Sequence, residues 1–108
     1  MAEFEVTRSG SSVRVAVGDE IVLRVPEVPT TGYVWTIGTV DPALRLVESA
    51  FDGPHSEGDG PEPPPGAGGE RVIRLRAAAA GEAGAELALK RPWETAPVET
   101  FTVHATVT

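Results

Sequence analysis

Apolar residues recur at every second position through most of this chain. The pattern is clearest over residues 101–107, Phe-Thr-Val-His-Ala-Thr-Val. Because successive side chains of a β-strand point to opposite faces, each such segment offers one apolar face and one polar face. Similar segments cover residues 13–17, 21–25, 33–37, 44–46, 72–76 and 85–90. Several short strands separated by Gly, Pro and Asp predict an all-β fold, and we expect an immunoglobulin-like β-sandwich.

Length and charge limit the classes of protein to consider. The 108 residues predict one domain, 1–108, which buries enough surface for a single core. With no cysteine there is no disulfide, thiolate nucleophile or Cys-based zinc site. A net charge of −7 with a single lysine argues against nucleic acid and against a membrane surface as partners. The N-terminus lacks signal-peptide character, which predicts a cytoplasmic chain as given, or a secreted or periplasmic one if a signal was removed.

Residues 52–69 interrupt the strand pattern. This stretch holds five prolines and six glycines, which cannot form a regular ladder, so we expect a long surface loop. Loops of this length in compact domains are often functional or disordered. The loop ends in Gly66-Ala67-Gly68-Gly69, which lacks the Lys-Ser/Thr of a phosphate-binding P-loop. We therefore expect this glycine motif to be either a segment whose backbone another chain can approach closely, or a simple hinge, and not a phosphate-binding loop.

Two further segments place a proline-stiffened turn at a strand end. In Pro29-Thr30-Thr31-Gly32-Tyr33, proline fixes its own φ and Gly32 permits a positive φ, so the segment is either a preordered binding loop or a plain turn. In Arg91-Pro92-Trp93, the tryptophan either contacts a partner or caps the open end of the sandwich. Trp35, in phase with its strand, is predicted to be a core residue.

Catalytic chemistry finds little support in the sequence. His55 falls in the long loop and His104 on the polar face of a strand, so a Ser-His-Asp arrangement would need improbable geometry. The acidic residues are scattered, and a metal site built on two separated histidines is not expected. The chain is therefore predicted to bind a partner and not to be an enzyme.

The three segments together resemble the chagasin-type inhibitors of papain-like cysteine proteases. That family shows an Asn-Pro-Thr-Thr-Gly-aromatic loop, a Gly-X-Gly-Gly loop and an Arg-Pro-Trp loop in this order. The resemblance implies three recognition loops side by side at one end of the sandwich, and reversible, non-covalent occlusion of the protease cleft by a monomer without cofactor or metal. The residues it implies at the protease are Pro29, Thr30, Thr31, Gly32, Tyr33, Gly66, Ala67, Gly68, Gly69, Arg91, Pro92 and Trp93.

Val28 departs from the family pattern, which has asparagine there. The missing side-chain hydrogen bond to the loop backbone predicts a weaker but functional inhibitor. The alternative reading is a non-inhibitory immunoglobulin-like adhesion or ligand-binding module that keeps the loop motifs. Titration of a papain-like protease distinguishes the two.

Overall fold

A computed structural model describes residues 2–28, 31–52 and 69–108 of the chain. They form eight strands, and the predicted all-β sandwich is confirmed. The strands are β1 Glu3–Val6, β2 Ser11–Val15, β3 Glu20–Glu27, β4 Val34–Val40, β5 Leu44–Asp52, β6 Gly69–Ala77, β7 Gly81–Lys90 and β8 Glu99–Val107.

The strands form two four-stranded sheets. The first sheet has the order β1-β3-β6-β5 and the second β2-β8-β7-β4. The short outer strands β1 and β2 pair in parallel with β3 and β8, and the other pairs are antiparallel. Alternate residues of both sheets form the core, among them the fully buried Ile21, Leu23, Ile73, Leu75 and Leu87. The predicted inward face of β8, from Phe101 to Val107, is confirmed.

Three details differ from the sequence prediction. Strand β1 was not expected, because it is short and two of its four residues are glutamates. Val17, predicted on an apolar strand face, instead lies exposed in the turn between β2 and β3. Strand β5 extends to Asp52, and a bulge between Leu46 and Glu48 breaks its alternation. Within the ranges that the structure describes, no helix is long and apolar enough to cross a membrane.

Strand register brings three connections to one end of the sandwich, which we call the loop end. Glu27, the last residue of β3, pairs with Gly69, the first of β6. In the other sheet, Val34 at the start of β4 pairs with Lys90 at the end of β7. The connections 28–33, 53–68 and 91–98 therefore leave the strands from the same end.

Candidate functional site

The turn between β3 and β4 is closed by its own threonine. The backbone N–H and the hydroxyl of Thr31 both donate to the carbonyl oxygen of Val28, at 3.1 and 2.7 Å. The same hydroxyl oxygen accepts from the backbone N–H of Tyr33 at 3.2 Å. Gly32 has φ +82°, as the sequence predicted, a conformation that is costly for any residue with a Cβ. The turn is thus fixed by local hydrogen bonds and one glycine.

Arg91 joins this turn to the connection between β7 and β8. Its Nε donates to the carbonyl oxygen of Thr31 at 3.2 Å. Its guanidinium carbon lies 4.5 Å from the ring centroid of Tyr33 and 5.8 Å from that of Trp93. Both distances are within the range of cation–π attraction. One side chain therefore holds two of the sequence motifs against each other.

The connection that carries Arg91 begins with a hydrogen-bonded turn. The backbone N–H of Glu94 donates to the carbonyl oxygen of Arg91 at 3.0 Å, and the Glu94 carboxylate accepts from the backbone N–H of Arg91 at 3.4 Å. Further along, the backbone N–H of Val98 donates a hydrogen bond to the carbonyl oxygen of Leu89 at 2.9 Å. Both ends of the connection are anchored to β7, which fixes where its middle projects.

Trp93 lies at the tip of that turn and is 74% exposed. Its Cη2 is positioned 3.7 Å from where a Cβ on Gly32 would lie, so one edge of the indole faces the threonine turn. Most of the ring faces solvent, and the alternative that it caps the sandwich is therefore wrong. An exposed, laterally supported indole is typical of residues that anchor protein interfaces.

Trp35 has the opposite environment, and its predicted place in the core is confirmed. It is 4% exposed and meets Phe101 edge to face, with ring centroids 6.4 Å apart and planes at 83°. Its indole N–H donates to the carbonyl oxygen of Pro26 at 2.9 Å, which satisfies the buried donor. Trp35 therefore connects the end of β3 to the start of β4, the two strands that flank the turn.

Glu27 is a further residue of this site that was not predicted from the sequence. This side chain is buried, and one carboxylate oxygen accepts the backbone N–H of Trp35 at 2.8 Å. Arg71 donates to the carboxylate with Nη2 at 2.9 Å and with Nε at 3.4 Å. The sequence did indicate that Glu27 is buried, because the two-residue period that places Val25 inside also places Glu27 inside.

The structure brings together only part of the predicted site. Thr31, Gly32 and Tyr33 contact the segment of Arg91 and Trp93, with Pro92 exposed between them. Gly69 opens β6 at the same end. The remaining predicted residues lie outside those that the structure describes: Pro29, Thr30, Gly66, Ala67 and Gly68.

The residues weighed for catalysis do not converge on this end. His104 is exposed on the outer face of the second sheet, where its Nε2 contacts a carboxylate oxygen of Glu82 and lowers the pKa of that carboxyl group. His55 lies outside the described residues. Among the residues that the structure describes, no cluster of three or more His, Asp or Glu could hold a metal ion. The loop end offers hydrogen-bonding backbone and an aromatic surface.

Comparison with known proteins points to one family. The family model described as chagasin family peptidase inhibitor I42 matches residues 14–105. Chagasin of Trypanosoma cruzi is 32% identical over 104 residues, covering 89% of this chain and 88% of the relative.

Solved structures share the fold. The cysteine protease inhibitor EhICP2 of Entamoeba histolytica matches with a TM-score of 0.81 and 23% identity, over 100% of this chain and 97% of its own. PbICP-C, solved in complex with falcipain-2, matches with a TM-score of 0.62 and 14% identity, over 98% and 89% of the two chains. At these identities, the two structures support the fold.

Proposed function

The chain belongs to the chagasin family of peptidase inhibitors, and we propose that it inhibits papain-like cysteine proteases reversibly by filling the active-site cleft with its loop end. Family membership makes it an inhibitor and not an enzyme. A related fold, PbICP-C, was solved bound to falcipain-2, which supports a protease of the papain-like class as the partner.

The observation that carries the proposal is the joined surface of Thr31, Gly32, Arg91 and Trp93. The two connections that bear these residues adjoin Val34 of β4 and Lys90 of β7, which pair with each other at the loop end, and Arg91 holds the connections in contact. A surface that is ordered before binding loses less conformational entropy when the partner arrives. We propose that the threonine turn enters the cleft and that Trp93 packs on the protease beside it.

The proposed role of the third motif rests on the family pattern and on the position of Gly69. Gly69 is the last residue of the Gly66–Gly69 motif and opens β6 opposite Glu27. Strand β6 is itself paired on both sides, with β3 and β5, so we propose that the residues of the motif that precede it offer their backbone N–H and C=O groups to an extended segment of another chain. We propose that this motif hydrogen-bonds along the other side of the cleft, and that Pro29 and Thr30 complete the central loop.

The closed geometry of the threonine turn argues for inhibition without cleavage. The hydrogen bonds from Thr31 to Val28 and the positive φ of Gly32 hold the chain in a turn. A peptide that binds a groove as an extended strand does so through alternating backbone groups. The threonine turn cannot take that extended conformation while its hydrogen bonds persist. We therefore expect the inhibitor to be recovered intact from the complex.

Titration of active papain and of a cathepsin L-type protease with the folded protein tests this function. We expect stoichiometric loss of protease activity, recovery of that activity on dilution, and an unchanged intact mass of the inhibitor after prolonged incubation. Absence of inhibition by a folded sample at micromolar concentration would refute the proposal and favour a binding module that is not an inhibitor. A cleaved chain that loses its inhibition would show that the protein is a slow substrate.

A further inference from the structure

A single buried carboxylate lies at the base of two of the three connections at the loop end. Glu27 is the last residue before the threonine turn, and its side chain accepts the backbone N–H of Trp35, which follows that turn. The same carboxylate accepts from Arg71, two residues after Gly69. Glu27 therefore links both stems of the 28–33 connection to the strand that begins after the 53–68 connection.

This link also joins the two sheets. Glu27 and Arg71 belong to β3 and β6 of the first sheet, whereas Trp35 belongs to β4 of the second. Trp35 pairs with Leu89 in β7, two residues before Arg91. Glu27 therefore contacts the stems of two connections and is linked to the stem of the third through Trp35, although its own side chain is only 4% exposed.

Burying an ionised carboxylate is costly, and the cost is recovered only when every lone pair meets a well-placed donor. An apolar residue would fill the same inward position of β3 without that cost, as Val25 does one inward position earlier. The carboxylate contributes what an apolar side chain cannot, because it makes directional bonds to a backbone amide and to a guanidinium at once. Those bonds define the relative placement of two strand ends.

We infer that Glu27 is a positioning residue for inhibition, which holds the threonine turn and the Gly69 stem in the arrangement that fits the protease without touching the protease itself. The inference rests on the proposed function. A residue of this kind changes how often the free inhibitor adopts the binding arrangement. If that arrangement is populated a fraction f of the time, the apparent Kd rises by 1/f. The loss of affinity then appears as a lower association rate constant.

Glu20 provides a matched control on the same strand. It is also buried and carboxylate-bearing, and it accepts from Arg74 at 2.8 Å and from Arg76 at 3.0 Å. It lies at the first residue of β3, at the end of the sandwich away from the loops. Glu27→Gln and Glu20→Gln therefore remove one buried charge each from one strand, and only the first removes it at the loop end.

The experiment measures association and dissociation rate constants of wild type and both variants with papain, at a temperature where denaturant titration shows all three to be folded. For Glu27→Gln we expect an association rate constant lower by about tenfold, within the range of coupling between sites, and a dissociation rate constant within twofold of wild type. For Glu20→Gln both constants should match wild type. Amide hydrogen exchange should become faster at Trp35 only in Glu27→Gln.

Equal rate constants for the two variants would overturn the inference, and so would a faster dissociation with unchanged association, which would make Glu27 a contact residue. If Glu27→Gln does not fold, Arg71→Lys and its matched control Arg74→Lys decide the question by the same constants. Failure of the wild type to inhibit papain would refute the proposed function. In that case faster exchange at Trp35 would still report the link between the two connections.

Discussion

Removing the indole of Trp93 is expected to weaken inhibition strongly while leaving the fold intact. The side chain is 74% exposed, so of the roughly 200–250 Å² that a tryptophan can bury, about 150–190 Å² remains available to a partner. At about 25 cal/mol per Å² this corresponds to a gross gain of about 4–5 kcal/mol. Ordering the side chain costs about 1 kcal/mol, and incomplete burial removes more. We therefore expect Trp93→Ala to cost about 2–3 kcal/mol of binding free energy, or about 30- to 150-fold in the inhibition constant.

The same exposure predicts a small effect on stability. Substitutions at exposed positions usually change the free energy of unfolding by no more than about 0.5 kcal/mol. Inhibition constants from progress curves with papain, and urea unfolding followed by circular dichroism, measure the two quantities separately. Since the lost contacts form only in the complex, we expect most of the change in the dissociation rate constant.

Val17→Ala is a suitable control for this prediction. Val17 is 53% exposed and lies in the turn before β3, at the far end of the sandwich from Trp93. Its truncation should leave the inhibition constant unchanged. A loss below about threefold for Trp93→Ala would refute the assignment of Trp93 to the interface. A loss of several kcal/mol in unfolding free energy would show that the indole supports the fold.

Three further predictions concern the turn, the family departure and the pH dependence of stability. Arg91→Met keeps an unbranched side chain that reaches about as far as Nε, but removes the guanidinium with its bond to Thr31 and its charge. It should raise the inhibition constant by about tenfold, the equivalent of one charge-assisted hydrogen bond, and Arg91→Lys should recover only part of this loss. Val28→Asn should tighten inhibition by about two- to fivefold, because an asparagine side chain can hydrogen-bond the loop backbone. Donation from Arg74 and then Arg76 lowers the pKa of Glu20, so its ion pairs stabilise the fold above the ordinary glutamate pKa and lose that effect as the pH falls through the lowered value. The difference in unfolding free energy between wild type and Glu20→Gln should therefore shrink as a urea series is carried into acid.

Each of these has a contradicting result. Equal inhibition by wild type and Arg91→Met would mean that the two connections hold their places without the arginine. Unchanged or weaker affinity of Val28→Asn would show that the absence of an asparagine side chain at this position does not weaken inhibition. A stability difference at Glu20 that is constant across the acid range would show that the carboxylate and the amide make equivalent interactions.

The sequence determines most of the strand faces but not the strand ends. Alternation predicted the inward faces of β7 and β8 and the core position of Trp35, because each depends on a local two-residue period. The period fails at β5, where the bulge between Leu46 and Glu48 shifts the phase and the strand lies at a sheet edge. Val17 was misplaced because the turn at Gly18, with φ +98°, ends the strand earlier than the apolar pattern does.

The site was predictable as motifs and not as a set of contacts. Pro92 and Gly32 mark turns through their own backbone preferences. The bond from Arg91 to Thr31 joins residues 60 positions apart, and that from Arg71 to Glu27 joins residues 44 positions apart. Nothing local in a sequence specifies such pairs, since they exist only once strands distant in the chain have paired, β3 with β6 and β4 with β7.

These long-range pairs explain how a small sandwich can present connections as one rigid surface. Hydrogen bonds within the threonine turn fix its shape, but they do not fix where it lies relative to Trp93. Arg91 holds the threonine turn in that position through a contact on the solvent side, and Glu27 does so through a contact on the buried side. Arg91 acts within the 28–33 connection, on the carbonyl of Thr31, and Glu27 acts on the stem that follows it, at the amide of Trp35 in β4. Because they share that connection, the losses from Arg91→Met and Glu27→Gln should not add in the double variant, and a double-mutant cycle on the inhibition constant should give a coupling of about 0.5–3 kcal/mol. Full additivity would mean that the two residues hold independent parts of the surface.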